Sequence, residues 1–297
     1  MAELLLPGGW LDAAGSCHQE AAIRPACGED EEWLYGLPLT TPEPAVVTGL
    51  LTRCLTRVGP HAPPGRDVVR SLPVGDREWL ILRLWRLTLG DRVELVVTCP
   101  QRGCGTRMDL DFALEGLVAE PRPQRPSYSL DPIGLRFRLP HGDDLEALGR
   151  ALAEEESGGG VSGGGASGGG ASETDRAAAL LGRCMIPPPS TAEVTALLAR
   201  TPGLWEGMAE EMRRHSALVD REFDAVCPQC EREFTGEFDP ILAFLTEMMR
   251  RRPEFERDVH LLSLHYHWPL SEILNLARSR RRRYVRLLLD QLDVATG

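Results

Sequence analysis

Apolar residues fall at helical spacing from Pro44 onward: Val46, Val47, Leu50, Leu51, Cys54 and Leu55 share one face. A polar Pro/Gly loop, 59–65, ends that helix. Val74-Gly75-Asp76 opens a second helix, with Trp79, Leu80, Leu82, Leu84, Trp85 and Leu87 as its apolar residues and Asp76 as its expected N-cap. After a Gly90-Asp91 turn, Val93 to Val97 reads as a strand. Met108 to Phe112 alternates with period two and reads as the returning strand. Leu135 to Leu139 predicts another strand, and a helix follows from Asp143 or Asp144 to Glu155. Further helices are predicted over 177–185, 192–199 and 204–215, broken by Pro187-Pro188-Pro189. Two more strands, 223–226 and 234–238, lead into a helical C-terminal third. There Ile241, Leu242, Leu245, Met248 and Met249 form one core stripe, Phe255, Val259, Leu262 and Tyr266 a second, and Tyr284, Leu287, Leu288 and Leu292 a third.

This pattern divides the chain into five stretches. Residues 1–45, rich in Pro and Gly, read as an irregular N-terminal arm with a short helix, whose aromatics dock on the body or on a partner. Residues 46–156 form a first half, and 173–240 a second. Between them 157–172 is almost pure Gly, Ser and Ala, a composition that buries no apolar surface and predicts a flexible tether. Residues 241–297 are the C-terminal helices.

Each half carries one cysteine pair between two predicted strands: Cys99-Pro100-Gln101-Arg102-Gly103-Cys104 and Cys227-Pro228-Gln229-Cys230. Cys-x2-Cys and Cys-x4-Cys spacings suit zinc, and Gly103 and Gly105 permit the positive φ that turns amides toward sulfur. We expect Cys99, Cys104, Cys227 and Cys230 to share one structural Zn2+; free thiols, or a site completed by another chain, are the alternatives. Four sulfurs leave no open coordination position, so no zinc-bound water is available for hydrolysis. The fold class that follows is α+β: a mainly helical body, two β-hairpin knuckles forming a zinc-ribbon-like four-cysteine site, and a helical C-terminal region. Cys54 and Cys184, on apolar helical faces, read as buried core thiols. Cys17, Cys27 and His18 are read as a chance grouping, with a second partial site as the alternative.

The two halves also resemble each other. Leu50-Leu51-Thr52-Arg53-Cys54 matches Leu180-Leu181-Gly182-Arg183-Cys184. From each, a similar length of helical sequence leads to Asp-Arg, a short strand and a Cys-Pro-Gln knuckle. A diverged duplication, each copy supplying half of a metal site, accounts for this; coincidence in a Leu- and Arg-rich chain is the alternative.

Composition narrows the function classes. The formal net charge is −11 over 297 residues and every basic residue is Arg. That balance opposes generic binding to nucleic-acid backbone or an anionic membrane. No apolar run spans a bilayer and the first residues lack a signal-peptide pattern, so the chain reads as cytoplasmic, from a GC-rich bacterial genome. His265 and His267 are one residue apart, a spacing that points them to different sides of a helix and suits packing better than a shared metal. Arg278, Arg280, Arg281, Arg282 and Arg283 form a basic run, read first as a salt-bridged helix face and second as a surface for phosphate or an acidic partner. No phosphate loop, Ser/His/Asp set or carboxylate pair stands out, so no enzyme is expected.

Several of these segments together resemble a known family. They are Leu6-Pro7-Gly8-Gly9-Trp10, Leu50 to Cys54, Gly75-Asp76-Arg77-Glu78, Gly90-Asp91 before a Cys-Pro knuckle, Phe137-Arg138-Leu139-Pro140 before an Asp-led helix, and Leu264-His265-Tyr266-His267-Trp268 through to Arg280-Arg281-Arg282-Arg283-Tyr284. The family is the T4-type baseplate hub assembly chaperones, in the form found with contractile phage tails and extracellular contractile injection systems. Two departures stand against it: Leu276-Ala277-Arg278 replaces an expected Leu-Pro, and the tether is unusually Gly-rich. The resemblance implies a non-enzymatic assembly chaperone or structural adaptor, in the bacterial cytoplasm or on the tail-like particle, that binds baseplate or hub proteins. Trp268 and Arg280, Arg281, Arg282 and Arg283 are the expected partner-binding residues. The competing expectation is a zinc-ribbon nucleic-acid-binding regulator.

Overall fold

The computed structural model describes residues 2–131, 133–158 and 173–296, so most of the expected tether (159–172) lies outside the described residues. Strand β1 (Ala2–Leu11) pairs antiparallel with β2 (Cys17–Ile23), and β2 with β3 (Leu55–Val58). Residues 1–45 are therefore not the irregular arm expected. Leu6, Ala21 and Ile23 are wholly buried, and helix α1 (Gly28–Tyr35) follows directly. Pro7, Gly8 and Gly9, part of what suggested irregularity, form a bulge: the β1–β2 register shifts between Leu5 and Trp10. The Gly8 and Gly9 amides there donate to the two carboxylate oxygens of Asp76, at 2.7 and 2.6 Å. Asp76 lies one turn into helix α4 (Val74–Thr88), whose N-cap is Pro73, so it anchors the bulge and does not cap the helix.

One backbone pattern recurs in the two halves, here called the two copies. In the first copy, β2 runs into Arg24, and helix α2 (Glu43–Cys54) returns beside it. In the second, a hairpin of β6 (Tyr128–Leu130) and β7 (Leu135–Phe137) runs into Arg138. Helices α5 (Gly142–Gly158) and α6 (Glu173–Cys184) then bring Cys184 back to the same place. The Arg24 amide donates to the Cys54 carbonyl, and the Arg138 amide to the Cys184 carbonyl. The Arg24 side chain reaches both oxygens of Asp30 (2.5 and 3.1 Å) and the carbonyl of Arg53. Arg138 likewise reaches both oxygens of Asp144 (2.6 and 2.9 Å) and the carbonyl of Arg183. Each Asp also accepts the amide three residues upstream, from Cys27 and His141 respectively. These bonds match atom for atom between the two clasps; the second adds one from Arg183 Nε to Asp144.

These clasps dock on a second recurring element. Helix α3 (Arg66–Arg70), a turn and α4 form a groove in which the Gly142 amide donates to the Leu72 carbonyl and His141 bridges Pro73. At the C-terminus α11 (Leu270–Leu274), a turn and α12 (Arg278–Thr296) repeat that geometry. There the Gly28 amide donates to the Leu276 carbonyl, and Cys27 bridges Ala277. Ala277 thus stands where the first groove has Pro73, so losing the expected Leu-Pro leaves the turn intact. α10 (Arg252–Tyr266) packs on α11, α12 and α1, as α2 packs on α3, α4 and α5.

Each copy encloses its own apolar cluster. Leu6, Leu50, Leu51, Leu80, Ile81 and Trp85 centre the larger one, joined by Phe244 and Met248 of α9 (Pro240–Arg250). Tyr128, Phe137, Leu181, Met208 and Met212 make the second, with α8 (Leu204–His215) closing it. α7 (Thr191–Arg200) starts on a capping box between Ser190 and Glu193. The fold is α+β, with helices carrying most of the described residues.

Candidate metal centre and partner surface

Two hairpins project from this body. β4 (Arg92–Thr98) pairs with β5 (Arg107–Ala113), and β8 (Glu222–Val226) with β9 (Glu233–Glu237). Alternation lets one face of each pack inward: Val93 and Phe112 from the first, Phe223 and, just beyond β9, Phe238 from the second. Phe112 and Phe238 meet edge to face at 5.1 Å, fixing the hairpins against one another.

At the tips the chain turns tightly. The Cys99 amide donates to the Thr106 carbonyl and the Cys227 amide to the Arg232 carbonyl. The first knuckle takes its positive φ at Gly103 and Gly105, as the glycines suggested. The second takes it at Glu231 (φ 55), where no glycine signals it. The tips bring all four expected sulfurs together. Cys99 Sγ lies 3.8 Å from Cys230 Sγ, Cys104 Sγ lies 3.7 Å from Cys227 Sγ, and all four fall within 4.8 Å of one another. A tetrahedral ion with sulfur at about 2.3 Å requires sulfur–sulfur edges of about 3.8 Å. A disulfide would need about 2.05 Å, and all eight cysteines are free. The donor set therefore fits a tetrahedral thiolate metal: Cys99 and Cys104 from one copy, Cys227 and Cys230 from the other.

The electrostatics of the cluster suit a cation. Burial, with three neighbouring sulfurs, pushes the Cys99 thiol up to about 12, while hydrogen bonds from the Thr106 hydroxyl and amide bring Cys104 down to about 6. Four packed sulfurs disfavour one another's ionisation unless a positive charge lies among them. The remaining cysteines lie apart from this cluster. Cys54 and Cys184 are buried, and burial raises both thiols. Cys17, Cys27 and His18 form no metal-ligating group among the described residues. A second donor cluster, His141, Asp143 and Asp144, was not foreseen. It is part of the second clasp: Asp144 is held by the Arg138 and Arg183 guanidiniums, and burial with nearby Arg138 lowers His141 to about 4.

The basic run at the start of α12 divides in two. Arg281 is 0% exposed and bonded to Glu31 (2.5 Å), with Asp258 alongside. Arg278 pairs with Glu254, and Arg282 with Asp258 (3.0 Å). Arg281 thus cannot contact a partner as expected. It occupies the place that Arg77 holds in the first groove, and both are buried beneath the docked helix. Arg280 and Arg283 are exposed and make no ion pair among the described residues. Trp268 is half-buried, stacked on Tyr266 (5.2 Å) and edge-on to Tyr284 (5.0 Å), and so supports the turn after α10. His267 caps α10 in the left-handed region; both His265 and His267 are exposed and lie outside every donor cluster among the described residues.

The described helices include none long and apolar enough to cross a membrane. A family model described as T4 bacteriophage base plate protein matches residues 21–184, more than half of the chain. The matched stretch runs from β2 to Cys184, enclosing both clasps and the first knuckle. No curated protein and no solved structure matches the chain.

Proposed function

The chain belongs to the T4 bacteriophage base plate protein family, and from that premise we propose that it is a non-enzymatic assembly chaperone or adaptor for the baseplate hub of a contractile tail-like particle. It acts by binding other particle proteins, and its Zn2+ is structural. The family match carries this reading. The chemistry of the cysteine centre agrees with it, since four thiolates fill a tetrahedral ion and leave none of its positions for substrate. A zinc-ribbon nucleic-acid regulator finds less support: β8, β9 and their turn carry Glu222, Asp224, Glu231, Glu233 and Glu237 against Arg232 alone. Such a surface repels phosphate.

Deleting the gene in a strain that makes the particle tests the proposal, with assembly followed by electron microscopy. Tubes and sheaths without baseplates are expected. Intact particles of normal yield would overturn it.

A further inference from the structure

Two exposed arginines of α12, Arg280 and Arg283, lie along an open depression, Arg280 with its guanidinium 6.0 Å from the centre of the Tyr284 ring. Ser279, Arg280, Arg283, Tyr284 and Leu287 line an open depression of ≈ 620 Å³ on the helix's outer side. The spacing 280, 283/284, 287 places these side chains on one stripe. Leu287 is 48% exposed, and Leu264 and Leu270, which flank Trp268 in sequence, are 54% and 50% exposed. The neighbouring arginines, Arg278, Arg281 and Arg282, are consumed by Glu31, Glu254 and Asp258. Arg280 and Arg283 have no carboxylate, although the chain carries eleven more acidic than basic residues. Asp290, the next acidic residue on the helix, makes no ion pair with them among the described residues.

We propose that this groove receives an acidic amphipathic helix of another particle protein. Its apolar side would lie on Leu287 and Tyr284, and its carboxylates on Arg280 and Arg283. An amphipathic helix in an apolar groove is a recurring recognition mode, and a charged rim sets its orientation and encounter rate. The proposal rests on the reading that the protein works by binding partners, and it narrows that reading to one surface and one chemistry.

The test uses the full chain and a labelled helical peptide of about twenty residues, with leucines at i, i+4, i+7 and i+11 and glutamates between them. A matched peptide with lysine for glutamate is the control, and anisotropy is the readout. The acidic peptide should bind and weaken as salt rises, and the lysine peptide should not bind. R280E/R283E should weaken binding about ten-fold or more, and Leu287→Ser should also weaken it. Both variants should keep the wild-type melting temperature and metal content, since these side chains support no buried contact. Equal binding of both peptides, unchanged binding by R280E/R283E, or stronger binding of a duplex DNA than of the acidic peptide would each overturn the groove. In the producing strain, normal particles from R280E/R283E alongside failed assembly on deletion would sink the groove and leave the assembly role standing. Normal particles on deletion would sink the role itself.

Discussion

Asp144→Ala is the sharpest probe of the clasp design. Asp144 has no exposed surface, and its two oxygens accept from Arg138 twice, from Arg183 Nε and from the His141 amide. Alanine strands the Arg138 guanidinium and the buried His141 amide. Removing one partner of a buried pair costs about 3–5 kcal/mol; Arg138 keeps some solvent contact, so the lower end applies, about 3 kcal/mol. For a chain of this size that is a fall of roughly 6–12 °C in melting temperature. The pH profile supplies a second reading. Burial works to raise the Asp144 pKa, but the bonds from Arg138 and the His141 amide outweigh it and hold the carboxyl below its ordinary value. A depressed carboxyl stabilises the fold above its unfolded pKa, and that contribution is lost as pH falls through the folded value. The gap between wild type and Asp144→Ala should therefore be full at pH 7 and close below about pH 4. Thermal melts at both pH values measure it. A fall under about 2 °C at pH 7, or a gap that stays constant to pH 3, would refute the clasp as a stabilising unit.

Other consequences follow from the same geometry. A Cβ on Gly75 would lie 2.2 Å from the Ala217 carbonyl oxygen, so Gly75→Ala should force the backbone that joins α8 to β8 away from α4. It should destabilise by about 1–3 kcal/mol in denaturant titration. Burial raises Asp76 and Glu78 each to about 7, against the two amides that Asp76 accepts and the nearby Arg221 of Glu78. With folded values above unfolded ones, the folded state binds more protons between about pH 4 and 7. Stability should then fall as pH rises through that window, and Glu78→Gln should flatten the fall in pH-dependent melts. Arg281→Met should be tolerated far better with Glu31→Leu than alone, because the single change leaves Glu31 buried without its guanidinium. A double-mutant cycle on melting temperature reads the difference.

The helices and both knuckle hairpins were legible because their apolar spacing is strict. The cysteine pairs were legible because Cys-x2-Cys and Cys-x4-Cys spacings suit a tetrahedral thiolate site. What escaped was structure whose signal lies in tertiary partners. β1 and β2 were hidden because Gly8 and Gly9 serve a buried carboxylate 67 residues or more away, and glycine by itself reads as irregular chain. The clasps were partly visible as the Leu50–Cys54 and Leu180–Cys184 match. Their arginines were not, because Arg24 and Arg138 look like any surface arginine until Asp30 and Asp144 fold onto them. Arg281 was misread for the same reason: within a run of arginines, sequence does not tell which one turns inward. Spacing from the Leu-turn preceding α4 and α12 was the available signal, since Arg77 and Arg281 each sit five residues after a leucine, Leu72 and Leu276.

In the function proposed above, one zinc joins the two knuckles through four thiolates. Metal analysis with X-ray absorption on the purified full chain addresses it directly, comparing wild type with Cys99→Ser and Cys227→Ser. One zinc per chain, surrounded by four sulfurs at about 2.3 Å, is predicted, together with loss of tight binding in both variants. Retention of a tightly held zinc by either variant, nitrogen or oxygen in the wild-type shell, or no bound metal would contradict it.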